Sequence, residues 1–289
     1  FQAFNQETIP HSDKIYTFET ISDSIGEYDY FIVGSDQVWN LKWYKPEWFL
    51  SFVSSDKKKI SYAASMAMDE LTEEQEATIK EHLKDFEAIS VRERKSLELL
   101  KDISPVEPQY VVDPVLLLSR EDWDNICAER VIKEKYLFCY FLGDNKKERK
   151  LAEKYAKKNK LKLVHIPKTV GVDFHFGDYR IFDITPQQFI SLIKNAEYIF
   201  TDSFHAVIFS FIYQKQYFVF NRDESGSMNS RITDITDLFE ATDRFCQGQE
   251  KETIKYINNL PRIDYEKPYN QFKELREKSI EFLLSNLKD

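Results

Sequence analysis

Asp202, Ser203 and His205 stand together where one apolar run, Tyr198 to Thr201, gives way to another, Phe204 to Tyr213. The first run is aromatic and β-branched and reads as a buried strand; the second continues as a helix. Asp and Ser between them have the chemistry of a helix N-cap. His205 is therefore expected in the first turn of a helix that starts just past the carboxyl end of a strand. Ligands of an open α/β sheet bind at that edge. Free backbone N–H groups and the helix dipole suit the spot to an anion. An imidazole there can donate a proton to a bound anion near neutral pH.

Phe31-Ile32-Val33-Gly34-Ser35-Asp36-Gln37-Val38-Trp39-Asn40 repeats the logic of strand, tight turn and cap. Gly34 permits a sharp turn or a close ligand approach. Ser35 and Asp36 can cap, bind a hydroxyl or act as base, and Trp39 lines either a cleft or the core. Arg92, at the end of the strand in Glu87–Arg94, is suited to bidentate binding of a carboxylate or phosphate, or to an ion pair with Glu93 or a nearby Asp. Val112-Asp113-Pro114 reads as a turn. The small, polar end of Ile60–Ser65 leaves room at Ser65 for a ligand or for tight packing. In the polar stretch from Asn221 to Arg231, backbone amides with Ser230 and Arg231 can hold an anion.

These residues need a scaffold, and the chain supplies one. Short β-rich runs alternate with helical patterns along all 289 residues, which means an α/β protein with mainly parallel sheets. Strands are expected at 28–33, 59–63, 88–91, 110–112, 136–142, 161–166, 198–201 and 217–220. Helices are expected at 70–85, 93–101, 120–130, 145–159, 186–195, 204–213, 229–239, 251–259 and 269–287. Thr185-Pro186 is a helix start with Pro at the first position. A charged helix end before Tyr136 puts the division near residue 130. The expected domains are thus 1–130, 131–265, and a C-terminal helix, 266–289, packed on the body of the protein.

A hydrophobic content of 42 % marks a globular chain. The formal net charge of −9 argues against nucleic-acid binding, whereas a local Arg cluster still allows an anionic substrate. Cys127, Cys139 and Cys246 are far apart and form no CxxC, which fits buried thiols in a reducing compartment. No zinc spacing is visible, and no metal is expected. GxGxxG and GxxxxGK[ST] are both missing from a chain with only 7 Gly, which weakens a dinucleotide or P-loop reading. The longest apolar run is broken by Asp202, Ser203 and His205 and is not a membrane span. No signal peptide opens the chain; it begins at Phe1, and further sequence is expected upstream.

Taken in order, Val33–Trp39, Ser61–Ser65, Ser90–Glu93, Val112–Pro114, Thr201–His205 and Asn229–Ile232 resemble the polysaccharide pyruvyl transferase family. The resemblance implies two Rossmann-like domains in a GT-B-type arrangement, the first lacking its N-terminal unit. It implies transfer of a pyruvyl group from phosphoenolpyruvate to a sugar of a glycan or lipid-linked precursor, leaving a cyclic ketal. His205 matches the family's acid and Arg92 an arginine at its donor site. On this reading Asp36 or Asp202 is the base. Ser203, Ser230 and Arg231 join Arg92 around the donor anion, and Gly34, Ser35, Trp39 and Ser65 line the cleft. No cofactor is implied. The expected location is cytoplasmic, peripheral to membrane-bound glycan assembly. Ser203 stands where many members carry an Arg. The alternatives are a GT-B-type glycosyltransferase using a nucleotide sugar, with the 221–231 loop on its diphosphate, and a non-catalytic glycan-binding member.

Overall fold

The structure is a computed structural model that describes residues 4, 6, 8–144, 146–168, 173–222, 229–246 and 250–288. Contacts divide the chain into two units. The first comprises His11–Leu117 and Gln271–Asp289; the second comprises Phe1–Pro10 and Leu118–Asn270.

In the first unit, β1 (Tyr30–Val33), β2 (Lys58–Ser61) and β3 (Phe86–Ala88) form a parallel sheet in the order β1-β2-β3. A second parallel pair joins β4 (Ser90–Val91) to β5 (Gln109–Tyr110). One strand was expected over 88–91; the observed run starts earlier and breaks at Ile89. Beyond the break, pairing passes to a bridge between Ala64 and Val91. Helix α1 (Glu73–Leu83) starts on a capping box made by Thr72 and Gln75 and turns Ile79 and Leu83 inward. Helix α2 (Arg94–Leu100) follows β4. Trp39, Phe49, Ile79, Leu83, Val91 and Leu100 make the core between sheet and helices.

The C-terminal helix, Glu266–Asn286, packs within this unit from Gln271 onward. The Ser279 hydroxyl accepts from Val112 N–H at 3.0 Å, and Arg276 donates twice to the Leu117 carbonyl, at 2.6 and 2.8 Å.

The second unit opens with α3 (Arg120–Ile126), which the sequence-based boundary at 130 had assigned to the first. The division falls between Leu117 and Leu118 because α3 packs on later helices. The Trp123 and Phe209 rings meet edge-on at 4.9 Å, and Lys194 binds Asp124 at 2.8 Å. Strands β6 (Tyr136–Tyr140), β7 (Lys162–His165), β8 (Tyr179–Arg180), β9 (Tyr198–Thr201) and β10 (Gln216–Val219) form one parallel sheet in the order β10-β9-β6-β7-β8. Its helices are α4 (Lys146–Lys158), α5 (Pro186–Asn195), α6 (Phe204–Ile212), α7 (Asn229–Leu238) and α8 (Glu250–Asn259). The chain winds one way from β6 through β7 to β8 and the other way through β9 to β10. The topology therefore reverses between β6 and β9, where such sheets open a ligand crevice beyond the carboxyl ends of the strands.

Among the described residues, no helix is long and apolar enough to cross a membrane.

Candidate functional site

In the second unit, β9 ends at the switch point. The Thr201 hydroxyl donates to the Tyr140 carbonyl at 2.6 Å and accepts from Ser203 N–H at 3.0 Å, which locks the turn to the end of β6. The Asp202 carboxylate crosses the same gap. One oxygen accepts from Leu142 N–H at 2.7 Å and the other from Gly143 N–H at 2.8 Å. Gly143 permits this approach: a Cβ there would lie 2.1 Å from the Arg222 carbonyl oxygen and 3.1 Å from Asp202 Oδ2. Asp202 is fully buried. Burial pushes its pKa up, against the downward pull of the two amides.

Asp202 is thus a strut between two loops. It does not present the open carboxylate expected of a base, and it does not cap α6. Ser203 holds the N-cap position, buried and with no side-chain capping bond. His205 is half-buried in the first turn of α6, and its ring meets the Phe204 ring edge-on at 5.5 Å. Arg231, buried at the start of α7, lies over that same ring at 6.0 Å from its centre. His205 and Arg231 are therefore brought together around Phe204. The Ser230 side chain and residues 223–228 of the polar loop lie outside the described residues.

The carboxyl edge of this sheet holds more charge than the sequence indicated. Arg149 Nε donates to Asp173 at 2.7 Å, both buried, and Lys168 N–H donates to the other Asp173 oxygen at 2.9 Å. His165 ends β7, buried, with its ring edge-on to Phe176 at 4.7 Å. Its Nε2 has no hydrogen-bond partner among the described residues. Burial pushes its pKa down to about 4, opposed by Asp173.

In the first unit, the carboxyl ends of β1, β4 and β5 converge on Arg92. Its guanidinium is buried and donates to Asp113 at 2.6 Å, Ser35 at 2.9 Å and Asp36 at 3.0 Å; Glu93 lies 3.7 Å from Nε. Asp113 also accepts from Ser35 at 3.2 Å and from Val115 N–H at 3.0 Å. Glu93 is buried between the hydroxyls of Ser96, at 2.6 Å, and Ser65. Gly34 is required, since it has φ +126° and a Cβ would lie 2.0 Å from the Tyr62 carbonyl oxygen. The carboxylates differ sharply in access: the side chain of Asp36 is 69 % exposed, that of Asp113 only 2 %.

This arrangement corrects three expectations. Arg92 faces carboxylates, so it is a support within the unit rather than an open cation for a donor anion. Trp39 is a core residue, stacked on Phe49 with ring centres 5.7 Å apart and with Nε1 donating to the Trp48 carbonyl at 3.1 Å. Ser65 is fully buried and does not line a cleft. Asp36 is exposed, with Arg92 holding its carboxylate from behind. No cluster of His, Cys, Asp or Glu among the described residues could hold a metal ion.

Two parallel-sheet units, each with polar side chains gathered at the carboxyl ends of its strands, define an α/β protein of the GT-B fold class. The chain belongs to the polysaccharide pyruvyl transferase family, whose pattern it matches over residues 2–224. Its fold is similar to that of the UDP-GlcNAc 2-epimerase from Methanocaldococcus jannaschii, with a TM-score of 0.64 at 14 % identity, over 98 % of this chain and 89 % of that one. It is also similar to the UDP-GlcNAc 2-epimerase from Neisseria meningitidis bound to UDP-GlcNAc, with a TM-score of 0.55 at 13 % identity, over 92 % of this chain and 80 % of that one. No curated protein sequence matches the chain.

Proposed function

We propose that the protein moves the pyruvyl group of phosphoenolpyruvate onto a glycan or lipid-linked sugar precursor. The observation that carries this reading is the placement of His205 in the first turn of α6, at the switch-point edge of a parallel sheet, in a chain of the pyruvyl transferase family. His205 protonates the donor's methylene carbon, which becomes a methyl group, and positive character develops at the central carbon. A sugar hydroxyl attacks that carbon and gives up its proton. Phosphate departs with the electrons of its C–O bond, and a second hydroxyl attacks the same carbon, closing the ketal as its proton passes to the departing phosphate. The chemistry needs a positioned acid, cations for the donor's charge, and a proton acceptor.

Arg231, beside the same Phe204 ring, supports the cation role in the second unit. In the first unit, considered by itself, Asp36 is an exposed carboxylate held by Arg92. Burial and the backbone amide on each of its oxygens speak against Asp202 as the proton acceptor. The reading needs no metal and implies a cytoplasmic reaction beside glycan assembly.

The test is phosphate release from phosphoenolpyruvate in the presence of sugar acceptors, with His205→Gln as control. The amide keeps a hydrogen bond but cannot donate a proton usefully near neutral pH. Turnover should fall by about 10²–10⁴-fold with the fold intact. Wild-type turnover in His205→Gln removes the residue from the mechanism. A second reading, a transferase using a nucleotide sugar, is supported by the fold it shares with an epimerase solved with UDP-GlcNAc. Tight binding of uridine diphosphate sugars, with no response to phosphoenolpyruvate, favours that reading and rejects the first.

A further inference from the structure

The opposite edge of the second unit's sheet carries a cluster that the reaction above does not use. Ala196 and Glu197 lead into β9, and Lys215 leads into β10. This is the amino-terminal edge, about 13 Å along the strands from Asp202 at ~3.3 Å per residue. A cavity of about 280 Å³ opens there, lined by Arg130, Lys194, Asn195, Glu197, Lys215 and Arg262 among others.

Four of these side chains are cations, in a protein whose formal net charge is −9. Arg130 is held in place by its own bonds, from Nε to the Ile132 carbonyl at 2.7 Å and from Nη2 to the Glu134 carbonyl at 3.0 Å. Lys194 reaches Asp124 at 2.8 Å. Lys215 is half-buried and Arg262 exposed, and neither side chain has a hydrogen bond or ion pair among the described residues. Glu197, the acid of the cavity wall, already lies 3.9 Å from Lys135 Nζ.

Cations gather here for a local reason. α5 and α6 both end at the cavity, and each helix C-terminus carries roughly half a negative charge. With Lys135 beside Glu197 and Asp124 beside Lys194 counted as well, five positive charges face two carboxylates and those two half-charges, so about two remain. Burial pushes the Lys215 pKa down, opposed by Glu197 and reinforced by Arg120, Arg130 and Arg262. The residual charge matches a phosphate monoester, which carries about −1.5 to −2 at pH 7. Arg supplies a planar fork for its oxygens and Lys a mobile point charge.

We propose that this cavity binds a phosphate-monoester dianion, separately from the switch-point site. The test is calorimetric titration of the whole chain with inorganic phosphate, at an ionic strength held constant with chloride. Wild-type protein and His205→Gln should bind equally. Lys215→Met with Arg262→Gln should weaken binding by about tenfold or more. Met retains the length of the Lys stem, and both positions have solvent access, so the double variant should fold. Without phosphate it should melt slightly higher than the wild type, because like charges are removed; with phosphate its melting temperature should no longer rise. A parallel arm compares vesicles of phosphatidic acid with vesicles of phosphatidylcholine. Retention on the first alone assigns the phosphate to a lipid headgroup, and response to phosphate alone assigns a soluble ester. The proposal is overturned if neither probe binds, or if the double variant binds as tightly as the wild type.

Discussion

Replacing Arg92 separates support from catalysis. Arg92→Met removes the counter-charge of Asp113, whose side chain is 2 % exposed. Breaking a buried pair from one side typically costs about 3–5 kcal/mol, because the remaining charge is stranded. Arg92→Lys keeps a positive charge that can still reach Asp113. It gives up the fork and with it the bonds to Ser35 and Asp36. The Ser35 bond is charge-assisted and worth about 1.5 kcal/mol. The Asp36 bond contributes at most about 1 kcal/mol, since that carboxylate is largely in water. Arg92→Lys should therefore lose about 2 kcal/mol and Arg92→Met about twice that.

Urea unfolding followed by tryptophan fluorescence suits this comparison. Trp39, Trp43 and Trp48 lie in the first unit with Arg92, and only Trp123 lies in the second. At a slope of about 1–3 kcal/mol per molar urea, Arg92→Met should lower the first unit's midpoint by about 1–4 M. On the proposed reading of Asp36 as proton acceptor, Arg92→Lys should also lower turnover by more than its midpoint shift explains, since Asp36 loses the group that orients it. An Arg92→Met protein with an unchanged midpoint would refute the claim that this network holds the three strand ends together.

Other consequences can be checked alongside. His165, held near pKa 4 in the fold against an ordinary value of 6.5, contributes stability that is complete above pH 6.5 and is lost as pH falls toward 4, because the unfolded chain takes up the proton first. The loss should reach about 3 kcal/mol, and His165→Leu should flatten that window in pH-dependent melting. Asp202→Asn turns an amide N–H₂ toward Leu142 or Gly143 N–H; it should cost about 1–3 kcal/mol in thermal denaturation without changing the oligomeric state. Gly34→Ala forces a Cβ onto the Tyr62 carbonyl and should cost about 4 kcal/mol or more, read as loss of soluble, cooperatively melting protein.

Features set by neighbours in the chain were legible in the sequence. Strand Tyr198–Thr201 and helix Pro186–Asn195 fall where the apolar run and the Thr-Pro start put them. β8 was not legible: Tyr179–Arg180 is two residues long and has no apolar alternation, and it pairs only because Val164 and His165 run beside it. The short 3₁₀ turns at Ile21–Glu27, Leu41–Trp43 and Pro46–Phe49 mix apolar and polar residues without a period, so no pattern marked them. Contacts divide the chain after Leu117 rather than near residue 130 for a related reason. The helical pattern of 120–130 says nothing about which body Trp123 will meet.

The site residues show the same limit more sharply. Both units use a strand that ends in a turn rich in Asp and Ser, Ser35-Asp36 in one and Asp202-Ser203 in the other. Read locally, the two aspartates are interchangeable candidates for a base. Their partners decide otherwise. Asp202 meets Leu142, 60 positions away, across the β6–β9 gap, and backbone amides consume its carboxylate. Asp36 meets Arg92, 56 positions away, because β1 and β4 end at the same edge, and that side chain supports the carboxylate from within and leaves it facing water. The sequence left Arg92 as either an anion receptor or an ion-pair partner of an acid, because nothing near it in sequence shows that Asp36 and Asp113 come from other strands to meet it. Strand order, not turn chemistry, therefore determines which acidic residue becomes a buried strut and which stays at the surface.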